Sequence, residues 1–400
     1  MLCLIGDFIL NMKQLQKAIL TLLTSLIVLP VSAQVHNKLY LWDEQGLKKQ
    51  KELFRKGNKD QSLMKIITRA DSALLKGPFS VTYTKTKLAP SNDVHDYLSQ
   101  APYWWPDSSK VNGEPYIRRD GRRNPEIRKL HDRTQIGDLT TTVEELAVGY
   151  YVSGNETYAV RANELLDIFF VNSPTKMNPN LTYAQYIPGL NDGRGIGIIE
   201  TRGLVDIPEA IALLSGSASL RNKVVTGVRS WFADYLKWLQ TSPNGKSEHL
   251  EKNNHGTNYD LQVVDFALFT GNKELAKNVI RDVTIPRLQV QFNADGRQPL
   301  ETLRTNSWDY VNMNLAAWIK LGQLAEHLGI DLWRQTNQKG AGIKTGVQWL
   351  LPYVKQEKKW PYEQLNKKGY DQVKFIIEVA KTKFPDLDFS GLTAELPADY

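Results

Sequence analysis

The amino-acid sequence predicts a mostly α-helical protein whose helices pair into a toroid or a solenoid. Apolar residues recur at positions i, i+4, i+7, i+8 and i+11, which is the spacing of one buried helix face. Gly-Asn dipeptides join successive helices in two places, and strand signals are sparse. No Pro-, Ser- or Gly-rich linker divides the chain, so we expect a single domain over residues 34–400.

The first 33 residues have the pattern of a secretory signal peptide. Lys13 and Lys17 precede an apolar run over residues 18–31, and small residues suited to a cleavage site follow. Met12 is the more natural start, because an earlier one would place a second apolar patch before the basic region. The run is shorter than the roughly 20 residues that span a bilayer. We therefore expect an exported chain, periplasmic or secreted, with no stable membrane anchor.

Five segments carry the helical spacing. They begin near Leu139, Tyr158, Val224, Tyr259 and Val311. Gly154-Asn155 separates the first two, and Gly271-Asn272 follows the fourth; glycine stops one helix and asparagine caps the next. The best strand candidate is the short stretch Phe79–Thr84, with alternating apolar and hydroxyl residues.

Long loops rich in aromatic residues, Asn, Gly and Pro lie between the helices. They cover residues 90–126, 172–200, 241–257 and 291–310. Loops of this length in a compact domain are either functional or disordered. Their many Trp and Tyr residues argue against disorder, so we expect them to form the walls of a groove.

Composition excludes several classes of protein. The single Cys excludes a disulfide framework and CxxC metal sites, and no HExxH motif is present, so we expect no metal and no cofactor. The net charge of +7 favours an anionic partner. An exported chain without a compact Lys/Arg stripe is not expected to bind nucleic acid.

Asn254 and His255 stand just ahead of a predicted helix. Thr257 and Asp260 resemble a capping box, which predicts a helix over residues 257–270 that begins just after His255. In an irregular stretch both side chains can converge on one ligand, and the helix N-terminus adds positive potential that suits a carboxylate. The alternative is a loop histidine that is satisfied by the backbone.

Arg304 and Tyr310 lie near the start of a second predicted helix. Taken alone, they can equally be an ion-pair partner and a residue at the edge of the core. Together with Asn254 and His255 they match the needs of β-elimination on a uronic acid. The weakly acidic proton beside the carboxylate is removed only if donors and a cation stabilise the enolate charge. A tyrosine near an arginine can then remove that proton or donate one to the leaving oxygen.

Six segments together carry a resemblance to a known family. They are His95–Asp107, Tyr116–Gly121, Asn124–Glu126, Met177–Asn180 with Gln185, Asn253–Gly256 and Arg304–Tyr310. Over roughly residues 40–350 the sequence resembles the polysaccharide lyases of the alginate lyase superfamily. This resemblance implies an all-α fold, an incomplete (α/α) toroid of about six or seven helix pairs. It also implies cleavage of a 1,4-linked polyuronate, alginate in the first place, that leaves 4,5-unsaturated uronyl ends.

The resemblance also implies roles for single residues. The carboxylate-neutralising pair falls on Asn254 and His255, the arginine on Arg304 and the catalytic tyrosine on Tyr310. The spacing from Arg304 to Tyr310 is one residue shorter than in better-known relatives, so Arg297 is the alternative arginine. The remaining substrate-binding candidates are Asn253, Gln185, Asn124, Arg119, Tyr103 and Trp104. We expect the protein to act on its polysaccharide as a monomer.

Three other functions are consistent with parts of the sequence. Related lyases act on glucuronan, so the substrate does not follow from the motif. A glycoside hydrolase on a similar toroid needs two carboxylates that flank the bond, and leaves Asn254 and His255 without a role. The candidate carboxylates are Asp138, Glu145, Asp295 and Glu301. A non-catalytic glycan-binding protein would also explain the aromatic loops and the positive charge.

Overall fold

The computed structural model describes residues 38–392, which are mostly helical. In chain order the α-helices are α1 (Glu44–Arg55), α2 (Gln61–Leu74), α3 (Asp132–Ser153), α4 (Glu156–Leu166), α5 (Asp206–Leu214), α6 (Asn222–Thr241), α7 (Pro243–His249), α8 (Asn254–Phe269), α9 (Lys273–Asn278), α10 (Ile285–Gln291), α11 (Pro299–Thr302), α12 (Ser307–His327), α13 (Ile343–Val354) and α14 (Asp371–Lys383). Short 3₁₀-helices cover Pro125–Lys129 and Gly195–Val205, and π-helical turns cover Asp167–Val171 and Val279–Thr284. The predicted signal peptide lies outside the described residues.

The predicted helix boundaries at the Gly-Asn dipeptides are confirmed. Gly154 takes the left-handed conformation at φ 74° and ends α3. The side chain of Asn155 then accepts a hydrogen bond from the backbone N–H of Thr157 and caps α4. Gly271 has φ 88°, and Asn272 caps α9 in the same way. Glycine adopts this conformation at no steric cost, and the asparagine satisfies an otherwise unpaired N–H.

Four short strands connect the loops. β1 (Leu98–Gln100) pairs in parallel with β4 (Tyr183–Tyr186), and β2 (Trp104–Trp105) pairs antiparallel with β3 (Ile117–Arg118). The first pair joins the loop of residues 90–126 to that of residues 172–200, and the second closes the loop of residues 90–126 on itself. The pairs therefore hold the loops in place above the helices.

The strand predicted over Phe79–Thr84 is wrong, because this segment forms a turn. The N–H of Tyr83 donates to the carbonyl of Ser80 at 3.2 Å. The Ser80 hydroxyl accepts from the N–H of Thr82 at 3.0 Å. Local bonds of this kind from a serine side chain offer the backbone an alternative to a strand ladder.

Helices that are neighbours in the sequence pack on one another around one hydrophobic core. Helix α3 contacts α1, α2, α4 and α5, and α8 contacts α6, α9, α12 and the 3₁₀-helix Gly195–Val205. Every residue of α8 except His255 is buried, and most of α12 is buried as well. A helix that is buried all round lies in the centre of a domain. The side chains at the N-termini of α8 and α12 are therefore held on the most rigid part of the fold.

Candidate active site

A cavity of about 650 Å³ opens where the N-termini of α8 and α12 meet the aromatic loops. Its walls come from the loop around β2 and β3, the segment from β4 to the following 3₁₀-helix, and the C-terminal loop before α14. The lining side chains that carry charge, amide or ring chemistry include Tyr103, Trp104, Arg118, Arg123, Arg133, Gln185, Arg194, Arg202, Glu251, Asn253, Asn254, His255, Arg304, Asp309, Tyr310, Asn312, Asn366, Asp371 and Gln372. The four residues predicted to be catalytic thus share one cavity.

Helix α8 begins three residues earlier than the sequence predicts. Asn253, not Thr257, is its N-cap, and the Asn253 side chain accepts from the N–H of His255 at 2.9 Å. The Thr257 hydroxyl donates to Gln291 instead. Asn254 and His255 therefore occupy the first turn of the helix, where unpaired N–H groups favour an anion.

Glu301 lies behind Asn254 and fixes its position. The backbone N–H and the side-chain Nδ2 of Asn254 both donate to the Glu301 carboxyl group, each at 2.7 Å. The main-chain carbonyl of Glu301 accepts from the N–H of Arg304 at 3.1 Å. One residue thus holds both an amide and an arginine that line the cavity. Burial raises the pKa of Glu301 to about 7.

His255 is held by a second buried carboxyl group. Its Nδ1 lies 2.8 Å from Oε1 of Glu248, which is fully buried. An Nδ1–H that donates to Glu248 leaves Nε2 of a neutral imidazole as the acceptor. Nε2 has no hydrogen-bond partner within residues 38–392, so it is available as a base toward a molecule in the cavity.

Arg304 is oriented by Asp120 and contacts Tyr310. Its guanidinium donates to both carboxylate oxygens of Asp120, at 3.2 and 3.0 Å, and Nη2 donates to the Tyr310 hydroxyl at 2.8 Å. The centre of the guanidinium lies 3.8 Å from the centroid of the Tyr310 ring. Tyr103 lies on the other side, with its hydroxyl 2.9 Å from that of Tyr310. A cation and a second phenol therefore surround the Tyr310 oxygen.

These contacts set the charges of the two acids beside Arg304. Burial works against ionisation of Asp120, but the hydrogen bonds and charges of Arg304 and Arg118 lower its pKa to about 2. Burial raises the pKa of Tyr310 above its usual value, although Arg304 opposes the shift. Tyr310 is therefore a protonated phenol in the free protein, ready to donate a proton, and Arg304 is the group that stabilises its phenolate.

Gln185 and Trp104 also line the cavity, as predicted. The Gln185 side chain is already engaged, since Nε2 donates to Glu200 at 3.1 Å and Oε1 accepts from Arg194 at 2.8 Å. The Arg194 guanidinium lies 5.9 Å from the centroid of the Trp104 ring. Gln185 thus positions Arg194, and the Trp104 face is partly covered by a cation.

Three predicted binding residues do not reach the cavity. Asn124 uses its side chain to cap the 3₁₀-helix Pro125–Lys129 and to bond the carbonyl of Trp104. Arg119 is exposed, and its guanidinium lies over the Trp105 ring. Arg297 closes a tight turn, where its carbonyl accepts from Asn293. The geometry therefore favours Arg304 over Arg297 as the arginine of the site.

The carboxylates considered for a hydrolase do not form a pair around this cavity. None of the four, Asp138, Glu145, Asp295 and Glu301, is among the lining side chains. Glu145 pairs with Lys76, and Asp295 accepts from the N–H of Arg297. Within residues 38–392 no cluster of His, Cys, Asp and Glu has the arrangement of a metal site. No helix in that range is long and apolar enough to cross a membrane.

The sequence did not single out several residues of the site. Arg133 lies in the first turn of α3, whereas Arg194 precedes the 3₁₀-helix Gly195–Val205 and Arg202 lies in it. No local pattern marks any of the three. Glu248 and Glu301 do not line the cavity but are buried behind it, where they hydrogen-bond His255 and Asn254. Only Asp120 had a signal, because it belongs to the Tyr116–Gly121 motif.

Known proteins are similar to this chain in sequence and in fold. The family model described as alginate lyase matches residues 80–360. The structure is similar to that of an alginate lyase from Bacteroides ovatus, at 37% identity and a TM-score of 0.84, over 91% of this chain and 96% of that one. It also resembles a histidine-to-alanine variant of alginate lyase A1-III complexed with tetrasaccharide, at 16% identity and a TM-score of 0.60, over 91% and 92%. No curated protein matches the chain.

The fold indicates the broad class of the protein, and the sequence match indicates its family. Alginate lyase A1-III has an (α/α) toroid, and the shared fold confirms the predicted architecture. The class is that of the toroidal polysaccharide lyases. The chain belongs to the alginate lyase family. This membership sets aside the hydrolase and the non-catalytic binding protein as alternatives.

Proposed function

We propose that this protein cleaves 1,4-linked polyuronate, most directly alginate, by β-elimination and leaves 4,5-unsaturated uronyl ends. The observation that carries the proposal is the cavity where Asn254, His255, Arg304 and Tyr310 converge. A similar structure is named as an alginate lyase, which supports the substrate class. Glucuronan remains the alternative substrate of the same chemistry.

In the proposed reaction the donors act on the uronate carboxylate first. Asn254 and Arg304 hold it and stabilise the negative charge that develops as the C5 proton leaves. The electron pair of the C5–H bond forms the C4–C5 double bond, and the bond from C4 to the glycosidic oxygen breaks. Tyr310 donates a proton to that oxygen, which matches its raised pKa. No external oxidant or reductant is needed.

The base depends on the configuration of the sugar. In mannuronate the C5 proton and the leaving group lie on the same face, so Tyr310 serves as base and then as acid. For this role Tyr310 first loses its own proton to solvent, and Arg304, 2.8 Å from its oxygen, stabilises the phenolate that results. In guluronate the proton lies on the opposite face. Nε2 of His255 is then the natural base, because Glu248 holds the other ring nitrogen.

The first experiment follows the ultraviolet absorbance of the new double bond with alginate and, separately, with glucuronan. We expect absorbance to rise with alginate, and a rise with glucuronan alone would change the substrate but keep the mechanism. Tyr310→Phe should reduce turnover by at least about a thousandfold and retain binding, since acid–base groups contribute roughly 10²–10⁴ each. Tyr151→Phe, on the far part of α3, is the matched control. Full activity of Tyr310→Phe would remove Tyr310 from the mechanism.

We also propose that the chain is exported before it acts. The support is the basic and apolar pattern of the first 33 residues. Expression of the full chain in a bacterial host, followed by fractionation and mass spectrometry of the N-terminus, tests this. We expect a periplasmic or secreted product that lacks roughly the first 33 residues. An intact N-terminus in the cytoplasm would contradict the proposal.

A further inference from the structure

Three of the arginines that line the cavity wall have no hydrogen bond to Asp120, and Arg202 lies near the other two, Arg133 and Arg123. Arg202 lies on the 3₁₀-helix Gly195–Val205, Arg133 lies in the first turn of α3, and Arg123 lies in the loop after β3. They come from three separate parts of the chain. The fold therefore brings three positive charges to one place, which is costly for a protein unless an anion binds there.

Arg202 makes no ion pair with any residue in the described part of the chain. Its one hydrogen bond within residues 38–392 runs from Nη1 to the carbonyl of Ile199, at 3.1 Å. Its other side-chain nitrogens remain accessible to solvent, so their N–H groups face the cavity. Burial lowers the pKa of Arg202, and repulsion from Arg133 lowers it further. A buried arginine with a purely structural role is usually paired with a carboxylate.

Glu200, the nearest acid, is already occupied. Its Oε2 accepts from the Tyr97 hydroxyl at 2.7 Å and from the Ser99 hydroxyl at 2.5 Å. Its Oε1 accepts from Gln185 at 3.1 Å and lies 3.5 Å from Nη1 of Arg133. One carboxylate with four donors cannot also neutralise the other arginines. The wall thus keeps an excess of positive charge.

The reacting carboxylate has its own arginine elsewhere. Arg304 is paired with Asp120 and contacts Tyr310, whereas among the described residues Arg202 has no hydrogen bond to either of them. We infer that Arg202, with Arg133 and Arg123, forms a second carboxylate site, which holds the uronate residue next to the one that reacts. A planar guanidinium fork suits a carboxylate, and the adjacent Ile196 and Ile199 give a sugar ring an apolar surface.

This inference rests on the proposed function, but its test does not require turnover. In the Tyr310→Phe background, the affinity for purified oligouronates of two to five residues is measured by calorimetry at two salt concentrations. We expect Arg202→Gln to weaken binding at least about tenfold, but only for oligomers long enough to place a second carboxylate at this wall. Its salt dependence should also fall. Arg128→Gln, an exposed arginine outside the cavity, removes the same charge as a control.

Stability separates a binding role from a structural one. Without ligand, Arg202→Gln should unfold at the same temperature as the parent protein or higher, because repulsion at the wall is relieved. Lower stability with unchanged affinity would overturn the inference. An equal loss for every oligomer length would overturn the assignment to a neighbouring residue. If the parent chain forms no double bond but the length-dependent loss persists, the second carboxylate site stands and the lyase proposal fails.

Discussion

Replacement of Glu301 is the sharpest test of how the carboxylate-binding groups are positioned. Glu301 is 1% exposed, and two N–H donors of the fully buried Asn254 end on its carboxyl group. Among residues 38–392, Asn254 Oδ1 has no hydrogen-bond partner. In Glu301→Ala both donors lose their acceptor. In Glu301→Gln the new amide accepts one N–H and donates to Oδ1 once the Asn254 amide turns over.

The expected magnitudes follow from these contacts. Each buried donor without a partner costs about 1–3 kcal/mol, so Glu301→Ala, which leaves two of them, should lower the free energy of unfolding by about 2–6 kcal/mol. Glu301→Gln should stay within about 1 kcal/mol of the parent protein at pH 5, because no more buried groups lack a partner than in the parent protein. Glu301 is protonated at pH 5, so neither variant removes a charge there. Their difference therefore measures the lost hydrogen bonds together with the packing of the shortened side chain.

The pH dependence gives a second magnitude with a definite sign. Burial raises the pKa of Glu301 from 4.5 to about 7, so the folded protein binds this proton more tightly than the unfolded chain. Its stabilising contribution is complete below pH 4.5 and is lost as the pH rises through about 7. The loss is about 3 kcal/mol, and Glu301→Gln should remove it.

Urea unfolding at pH 5 and pH 8 measures both effects. Buried acids elsewhere, such as Glu209, titrate in the parent protein and the variant alike, so they cancel in the comparison. Glu274→Gln on exposed α9 is the control for a lost surface charge. Equal losses of stability between pH 5 and pH 8 in the parent and Glu301→Gln would refute the burial argument. Equal stability of the Ala and Gln variants would refute the hydrogen-bond argument.

Three further predictions test other parts of the site. Gly256→Ala should cost at least about 1–3 kcal/mol in urea unfolding, because its Cβ would lie 2.1 Å from the carbonyl oxygen of Glu251; Gly137→Ala, with nothing within 4 Å, should be neutral or stabilising. Asp120→Asn should lower kcat/KM by about 10–100-fold, because Arg304 loses its charged partner, and unchanged kinetics would contradict this role. His255→Ala should slow cleavage of guluronate-rich alginate at least as much as that of mannuronate-rich alginate; a loss confined to mannuronate would remove His255 as the base.

Five of the helices, α3, α4, α6, α8 and α12, were predictable because their apolar residues recur with the helical period in the sequence. The pairing of Asn254 with His255, and of Arg304 with Tyr310, was predictable because each pair lies within a few residues. The start of α8 was not, since the capping choice between Asn253 and Thr257 depends on Gln291, which takes the Thr257 hydroxyl. Local patterns contain no information about such a distant partner.

The second group of arginines escaped prediction for a related physical reason. Arg133 and Arg202 lie on different helices, and each has an ordinary local sequence. What distinguishes them is that the carboxylate oxygens of Glu200 already accept hydrogen bonds from other side chains. Only the packed structure shows this. Conversely, Asn124 and Arg119 lie within family-like motifs, yet their side chains support the loop and do not line the cavity. A motif fixes which segment builds a wall, whereas packing fixes which side chain faces inward.

A buried acid behind the carboxylate-binding amide limits the pH range of the proposed reaction. An ionised Glu301 would oppose the enolate charge from behind Asn254, and it holds Nδ2 away from the substrate. A protonated Glu301 can instead donate to Oδ1 of Asn254 and leave Nδ2 to the substrate carboxylate. Since its pKa is raised to about 7, the neutral form is present at and below that pH.

We therefore expect kcat/KM of the parent protein to fall as the pH rises through about 7, in step with the fraction of molecules in which Glu301 is neutral. Glu301→Gln, which cannot ionise, should keep its kcat/KM to higher pH. The measurement is the initial rate of double-bond formation between pH 5.5 and 9 for both proteins. If kcat/KM of both proteins depended on pH in the same way, ionisation of Glu301 would have no effect on the reaction. Glu301 would then only hold Asn254 in place.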